Sequence, residues 1–243
     1  MAGLIRVDGR RMDKPGTAVG AVAALEVAER EPFVSRAGRK LAAALDHYGL
    51  DPAGWVCLDV GASTGGFTDC LLERGARRVY ALDVGHGQLD QRLRHDPRVV
   101  VMERVNARHL AAGALPEPCD LITVDVSFIS LQKVVPALLP HLRRPAAVPG
   151  AGGYLLVLIK PQFEAGRGAV GRGGILRDEA LRRRVIEECA GCLAEIDANG
   201  AAGEVGDHRA APALELAGAC FDSPVAGSGG NREAFALLRR RAR

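Results

Sequence analysis

The sequence predicts a doubly wound α/β fold, a mostly parallel Rossmann-like sheet preceded by a small β unit. Three observations lead there. From residue 55 onward, short continuous apolar runs alternate with helical stretches, the pattern of buried parallel strands joined by crossover helices. The first run leads into a glycine-bearing turn, Leu58-Asp59-Val60-Gly61-Ala62-Ser63-Thr64-Gly65-Gly66-Phe67, and ligands of such folds sit at the carboxyl ends of the strands. The chain has 243 residues, 48% of them hydrophobic, enough to bury a full core in one large domain with a small appendage.

In chain order, Leu4 to Arg10 reads as a strand entering an Asp-Gly turn, Lys14-Pro15-Gly16-Thr17 as a second turn and Leu25-Glu26-Val27 as a short closing strand. So small a β unit cannot hold a core alone. Residues 31–34, around Glu31-Pro32-Phe33, read as a linker to a main domain over 35–243. Ser35 is expected to cap a helix whose apolar face carries Leu41, Leu45 and Tyr48 and which Gly49 ends. Arg36 and Lys40 share another face of it. Strands are expected at Val56–Val60, Val79–Asp83, Val99–Met102, Leu121–Val124 and Tyr154–Ile159, with Ala201–Val205 and Phe235–Leu238 as two last ones. Helices are expected at Phe67–Arg74, Gly87–Arg94, Leu131–Leu142 and Glu179–Ile196. Gly166 to Gly174, containing Arg167 and Arg172, reads as a long loop directly after Lys160.

The bulk properties narrow the function classes. A net charge of +3 permits nucleic-acid binding without demanding it. Six scattered cysteines fit reduced thiols in a cytoplasmic protein. Cys189-x-x-Cys192 lacks a second pair, so no metal site is read from it. The N-terminus has no apolar run, and the longest apolar stretch, Tyr154 to Ile159, is far short of the roughly 20 residues of a membrane span. No membrane partner is expected.

The glycine turn can be tested by spacing. A phosphate-binding P-loop reads G-x-x-x-x-G-K-S/T; Gly61 and Gly66 have the spacing, but Phe67 stands where the lysine belongs. A dinucleotide turn reads G-x-G-x-x-G, and Ser63 occupies its second glycine position. The turn therefore suits a nucleoside ligand without phosphates, such as S-adenosylmethionine. Asp83, ending the next strand, is placed to accept hydrogen bonds from ribose hydroxyls, and Asn106, after the third strand, to border the adenine. Asp59, Gly61, Ala62, Ser63, Thr64, Gly65, Gly66, Phe67, Asp83 and Asn106 are the expected cofactor contacts.

Lys40, Asp125, Lys160 and Glu233 form the expected catalytic group. A ribose 2′-hydroxyl is a poor acid, so its methylation needs an aligned base. A lysine serves only when neutral, a state favoured by desolvation or a second cation and opposed by a nearby carboxylate. Lys160, ending a buried strand, is the candidate base. Lys40 is expected to orient the ribose or repel the proton on Lys160. Asp125 is expected to align Lys160 with the donor methyl, and Glu233 to align one of the lysines.

Ser35-Arg36-Ala37-Gly38-Arg39-Lys40-Leu41 resembles the opening motif of FtsJ-like ribose 2′-O-methyltransferases, whose catalytic group is a lysine–aspartate–lysine–glutamate tetrad. Asp125-Val126-Ser127-Phe128-Ile129-Ser130-Leu131, Ile159-Lys160-Pro161-Gln162-Phe163-Glu164-Ala165-Gly166-Arg167 and Gly229-Gly230-Asn231-Arg232-Glu233 are similar to the TlyA, or hemolysin A, branch. The resemblance implies that Lys40, Asp125, Lys160 and Glu233 fill the tetrad. It also implies that residues 61–67 hold S-adenosylmethionine and that ribosomal RNA or a ribosomal subunit is the substrate. Members of that family carry a complete RNA-binding domain, like that of ribosomal protein S-four, before the methyltransferase domain. Residues 1–30 resemble only its closing half.

Phosphate neutralisation would dominate RNA affinity. Arg36, Arg39 and Arg167 are the expected substrate contacts, with further candidates in Arg6, Arg10, Arg11, Lys14, Arg172, Arg182 to Arg184 and Arg239 to Arg241. The competing classes are a membrane-active cytolysin, as the family's second name suggests, and an RNA-binding protein without catalysis.

Overall fold

The computed structural model describes residues 5–12, 14, 16–27, 31–144, 153–166, 170–171, 173–197 and 211–241. They fall into two compact units, Met1–Pro32 and Phe33–Arg243. In the first, β1 (Ile5–Val7) lies between β2 (Arg10–Met12) and β3 (Leu25–Val27), both antiparallel to it. Asp8 and Gly9 make the β1–β2 turn with positive φ, and Asp8 Oδ1 accepts the Ala24 N–H.

The second unit is built on an eight-stranded sheet. Its parallel part comprises β4 (Val56–Val60), β5 (Arg78–Asp83), β6 (Val99–Glu103), β7 (Leu121–Val124) and β8 (Tyr154–Ile159). The strand order is β10-β11-β8-β7-β4-β5-β6, so the chain reverses direction across the sheet between β4 and β7, the crevice where such folds bind ligands. Beyond β8, β11 (Ala234–Arg240) runs antiparallel, and β9 (Leu214–Leu216) and β10 (Phe221–Asp222) pair with it in turn. Alternate strand residues face opposite layers. On one face Leu58, Val60, Ile122, Val124, Leu155 and Val157 pack with α4 (Val135–Leu138) and α6 (Glu179–Ala194). On the other, Cys57, Ala81, Leu156, Leu158 and Phe235 pack with α1 (Ala37–Tyr48), α2 (Gly66–Glu73) and α3 (Gln91–Arg94). Among the described residues no helix is long and apolar enough to cross a membrane.

The five central strands lie where the apolar runs predict, and the helices differ in instructive ways. Arg36, not Ser35, is the N-cap of α1, with no side-chain cap bond; the Ser35 hydroxyl is pressed against Gly66 instead. Gly49 ends α1 in the left-handed conformation, as expected. The expected helix from Gly87 shrinks to Gln91–Arg94, because Asp90 caps it and Gly87 has a φ of 71°. Leu131–Leu142 is not one helix. Pro136 and Pro140 remove backbone donors, leaving a 3-10 turn, the short α4 and a second 3-10 turn. The expected strand Ala201–Val205 lies outside the described residues.

Most side chains of the two arginine runs are tied into the fold. Arg182 is buried and donates to Glu179, Asp222 and the Arg232 carbonyl. Arg183 and Arg184 pair with Glu179 and Glu188. Arg239 pairs with Glu215, while Arg240 and Arg241 donate to the backbone of Leu139, Leu142 and Leu214. Arg182, Arg239, Arg240 and Arg241 thus brace the sheet edge, whereas Arg183 and Arg184 stay exposed on α6. All six cysteines are unpaired, Cys189 buried and Cys192 exposed, and the described residues contain no cluster suited to a metal ion.

Candidate functional site

The site begins where β4 ends. Asp59 is wholly buried; its carboxylate accepts from Thr68 Oγ1 at 2.7 Å and from Thr123 Oγ1 at 3.4 Å. It lines neither cavity of the site, which corrects its expected role as a ligand contact. The residue ties β4 to α2 and β7 from inside. Burial pushes its carboxyl up to about 7, because desolvation penalises the charged form. An unfolded aspartate titrates near 4, so between about pH 4 and 7 the folded state binds a proton that the unfolded state does not. Stability therefore falls as pH rises through that window, by on the order of 4 kcal/mol in total. Asp59→Asn keeps the shape and removes the titration. Urea unfolding at pH 5 and pH 8 is expected to show the variant gaining stability relative to wild type at the higher pH. A constant difference between the two proteins would refute the assignment.

Beyond Asp59 the turn is shaped by close approaches. Gly61 has a φ of 87°, and a Cβ there would lie 2.3 Å from the Asp125 carbonyl oxygen, so only glycine lets β4 and the end of β7 meet. A Cβ on Gly66 would meet Ser35 Oγ at 2.3 Å and Ala37 Cβ at 2.9 Å, so this glycine brings the start of α1 against α2. Asp69 Oδ2 fixes that approach by accepting the Val34 N–H at 2.7 Å. A Cβ on Gly65 would meet Leu93 at 2.2 Å and Leu89 at 2.8 Å, and the residue is absent from the lining of both cavities of the site.

Two adjoining cavities open over the carboxyl ends of β4, β5 and β7. The larger, about 550 Å³, runs from Gly61 and Ser63 past Asp83, Val84 and Gln88 to Asn106, and back along Asp125 to Phe128. The smaller, about 220 Å³, is walled by Ser35, Ala37, residues 61–64, Gly66, Phe67, Asp125, Ser127 and Lys160. Gly61, Ser63, Asp125 and Ser127 belong to both. Of the expected cofactor contacts, Gly61, Ala62, Ser63, Thr64, Gly66, Phe67, Asp83 and Asn106 thus line the site.

The larger cavity is lined by two acids and no base. That charge suits a cationic ligand and repels a phosphate. Asp83 Oδ2 accepts the Ser63 N–H at 2.8 Å and Oδ1 the Gly85 N–H at 2.7 Å, leaving each oxygen a lone pair for a ligand hydroxyl. Next to it, Glu103 accepts from Gly87 N–H, His86 and Arg94. Those bonds, led by the Gly87 N–H, hold its carboxyl down to about 2 and pin the loop carrying Val84 and Gln88. Asn106 is exposed, and its side chain caps the following turn by accepting the Arg108 N–H.

The four expected catalytic residues come together as two lysine–acid pairs. Lys160 Nζ lies 2.6 Å from Asp125 Oδ1, a charge contact without hydrogen-bond alignment, and donates a hydrogen bond to Ser127 Oγ at 2.8 Å. Lys40 Nζ donates to Glu233 Oε2 at 2.5 Å, and both are buried. The β8–β11 register, with Ala234 opposite Ile159, brings Glu233 across from Lys160. Only Lys160 and Asp125 line the cavities; Lys40 and Glu233 stand behind the wall. Arg36 and Arg39 are exposed at the start of α1, whereas Arg167 and Arg172 lie outside the described residues.

Sequence reasoning missed Ser127 as a partner of Lys160, and it missed Phe128. The Phe128 ring is 89% exposed at the cavity rim, on a backbone with φ of 65°, and touches Phe163 with ring centroids 4.9 Å apart. Ser63 is another non-glycine residue of positive φ in the lining. Strain of this kind gathers at functional sites. No propensity pattern in the sequence signals it.

Comparison with known proteins agrees with this geometry. Residues 33–196 match the family model described as FtsJ-like methyltransferase. The Mycobacterium tuberculosis protein named 16S/23S rRNA (cytidine-2'-O)-methyltransferase TlyA is 44% identical over 98% of this chain and 81% of its own length. Hemolysin A of Brachyspira hyodysenteriae is 42% identical over 76% of this chain and 75% of its own. A solved structure from Streptococcus thermophilus that carries the hemolysin name superposes with a TM-score of 0.76 at 36% identity, covering 99% of this chain and 80% of that one. An O-methyltransferase from Bacillus cereus, solved with SAH, shares the fold at a TM-score of 0.53 and 16% identity. With the matched region spanning the glycine turn and both lysines of the site, this chain belongs to the FtsJ-like methyltransferase family.

Proposed function

We propose that this chain is an S-adenosylmethionine-dependent methyltransferase acting on the ribose 2′-hydroxyl of ribosomal RNA in the cytoplasm. The observation that carries the reading is Lys160 Nζ, set between Asp125 and Ser127 on the wall of the smaller cavity, beside an acidic, phosphate-repelling cleft. In that cleft Asp83 would hold the cofactor's ribose hydroxyls, Asn106 and Val84 would border its adenine, and Gly61 and Ser63, which line both cavities, would approach its amino-acid end through backbone. When bound, the cofactor supplies a sulfonium methyl, a cation matched by Asp125 and Asp83. Lys160, in its amine form, takes the proton of the ribose hydroxyl in the smaller cavity. Asp125 neutralises the ammonium that results, and the Lys40–Glu233 pair holds α1 and β11 against the wall. Phe128 offers an exposed ring on which the target base can stack.

RNA affinity is assigned to Arg36 and Arg39, with Arg104 and Arg108 at the end of β6. Arg36, Arg104 and Arg108 are exposed and have no ion-pair partner among the described residues. The β1–β3 unit, with Arg6 and Arg10 exposed, is assigned as a partial RNA-binding segment. Incubation with labelled S-adenosylmethionine and ribosomal particles, followed by mass spectrometry of the RNA, is expected to find a 2′-O-methylated nucleotide. Arg104→Ala/Arg108→Ala is expected to weaken RNA binding and flatten its salt dependence by about one unit of slope per arginine. Label on a base or on protein, or an unchanged salt slope, would overturn these respective assignments. Vesicle leakage caused by the purified protein would favour the cytolysin reading.

A further inference from the structure

We infer that Ser127 is the positioning residue that aims Lys160 at the substrate hydroxyl, an inference that rests on the function proposed above. Lys160 Nζ ends a chain of four rotatable bonds, and a base works only if its lone pair points at the proton it takes. Two groups hold this nitrogen. Asp125 Oδ1 is the nearer, at 2.6 Å, but it is not aligned as a hydrogen-bond acceptor. It supplies charge, which is weakly directional. Ser127 Oγ, at 2.8 Å, accepts an aligned N–H from Lys160 and so supplies direction.

A hydroxyl suits that task. It is compact and uncharged, and its oxygen accepts an N–H along a defined direction. It accepts an N–H of Lys160 before and after proton transfer, since amine and ammonium both carry one, and so leaves the amine's lone pair for the substrate proton. The residue also lies in the lining of both cavities, at the boundary where donor methyl and acceptor hydroxyl must meet. Its placement is set by the backbone. Ser127 follows Asp125, which is bonded to β4 through its N–H on the Val60 carbonyl, and it precedes Phe128, whose φ of 65° turns the chain away. Pro161 begins α5 (Pro161–Glu164) right after Lys160 and fixes the lysine from its own side.

The test compares wild type, Ser127→Ala, Ser127→Thr, Lys160→Ala and the Ser127→Ala/Lys160→Ala double variant in methyl transfer to ribosomal RNA. Ser127→Ala is expected to lower kcat about tenfold to a hundredfold, as a misaimed group does, with KM for S-adenosylmethionine within twofold of wild type. Ser127→Thr, which keeps the hydroxyl, is expected to recover most of the rate. In the Lys160→Ala background, removing the Ser127 hydroxyl is expected to cost nothing further, because its effect passes through the lysine. A purely structural serine would lower the residual rate in both backgrounds, and that additivity would overturn the inference. So would a wild-type kcat in Ser127→Ala, or a loss confined to KM for the cofactor. A wild-type protein that transfers no methyl to RNA would instead overturn the proposed function, and this inference with it. An active Lys160→Ala would remove the lysine as base and likewise end it.

Discussion

Lys160→Ala is expected to lower methyl transfer about a thousandfold while leaving S-adenosylmethionine binding within a few-fold of wild type. General-base contributions span roughly 10²- to 10⁴-fold, and here no described neighbour can replace the amine. The other lysine of the site, Lys40, is buried against Glu233 and lines neither cavity. The cofactor cleft does not include Lys160 in its lining, so truncating the side chain opens space in the smaller cavity and leaves the larger one intact. Calorimetric titration with S-adenosylmethionine and single-turnover transfer together check both halves. Retained transfer would show that the proton leaves by another route. Lost cofactor binding would show that the two cavities are one site energetically.

The second large effect is on stability. Lys40→Met is expected to destabilise the protein by about 3–5 kcal/mol, because it strands the Glu233 carboxylate in the interior. Glu233 is 2% exposed, and a Cβ on Gly227 would lie 2.2 Å from its Oε1, so the loop before it leaves little room for water. In a chain of 243 residues such a loss lowers Tm by roughly 10 °C. Lys40→Met/Glu233→Leu replaces both charges with apolar groups, and most of the loss is expected to return, since a buried pair exchanged whole is near neutral. Thermal unfolding of the three proteins checks this. The pair's part in catalysis is read separately, from transfer by the double variant. A folded but slow double variant would give Lys40 and Glu233 a role beyond holding the wall, and a folded, fully active one would restrict them to architecture.

The sequence disclosed the parallel strands because full burial demands uninterrupted apolar runs, and Val56–Val60, Leu121–Val124 and Tyr154–Ile159 end where those runs end. It disclosed Lys40, Asp125, Lys160 and Glu233 as candidates, each being a charge in a short local motif next to a strand or helix end. Helix limits were less legible. Ser35 and Pro136 act through neighbours and missing donors that no periodicity records: Gly66 sets where Ser35 points, and Pro136 and Pro140 break one expected helix into three pieces.

Other features arose only when the sheet closed. Asp59 reads in sequence like a ligand of the turn, yet alternation along β4 sends it inward to Thr68 and Thr123, and burial then raises its pKa. Which acid meets which lysine was equally undecided by spacing. The sequence separation of 193 between Lys40 and Glu233 is spanned by the antiparallel return of β11 beside β8 and the packing of α1 on α2. By itself the sequence determined the central strands and the candidate charges, since periodicity and local charge are written residue by residue. Partner choice, burial and the aim of Lys160 were decided by tertiary structure, because they depend on distances between residues far apart in the chain.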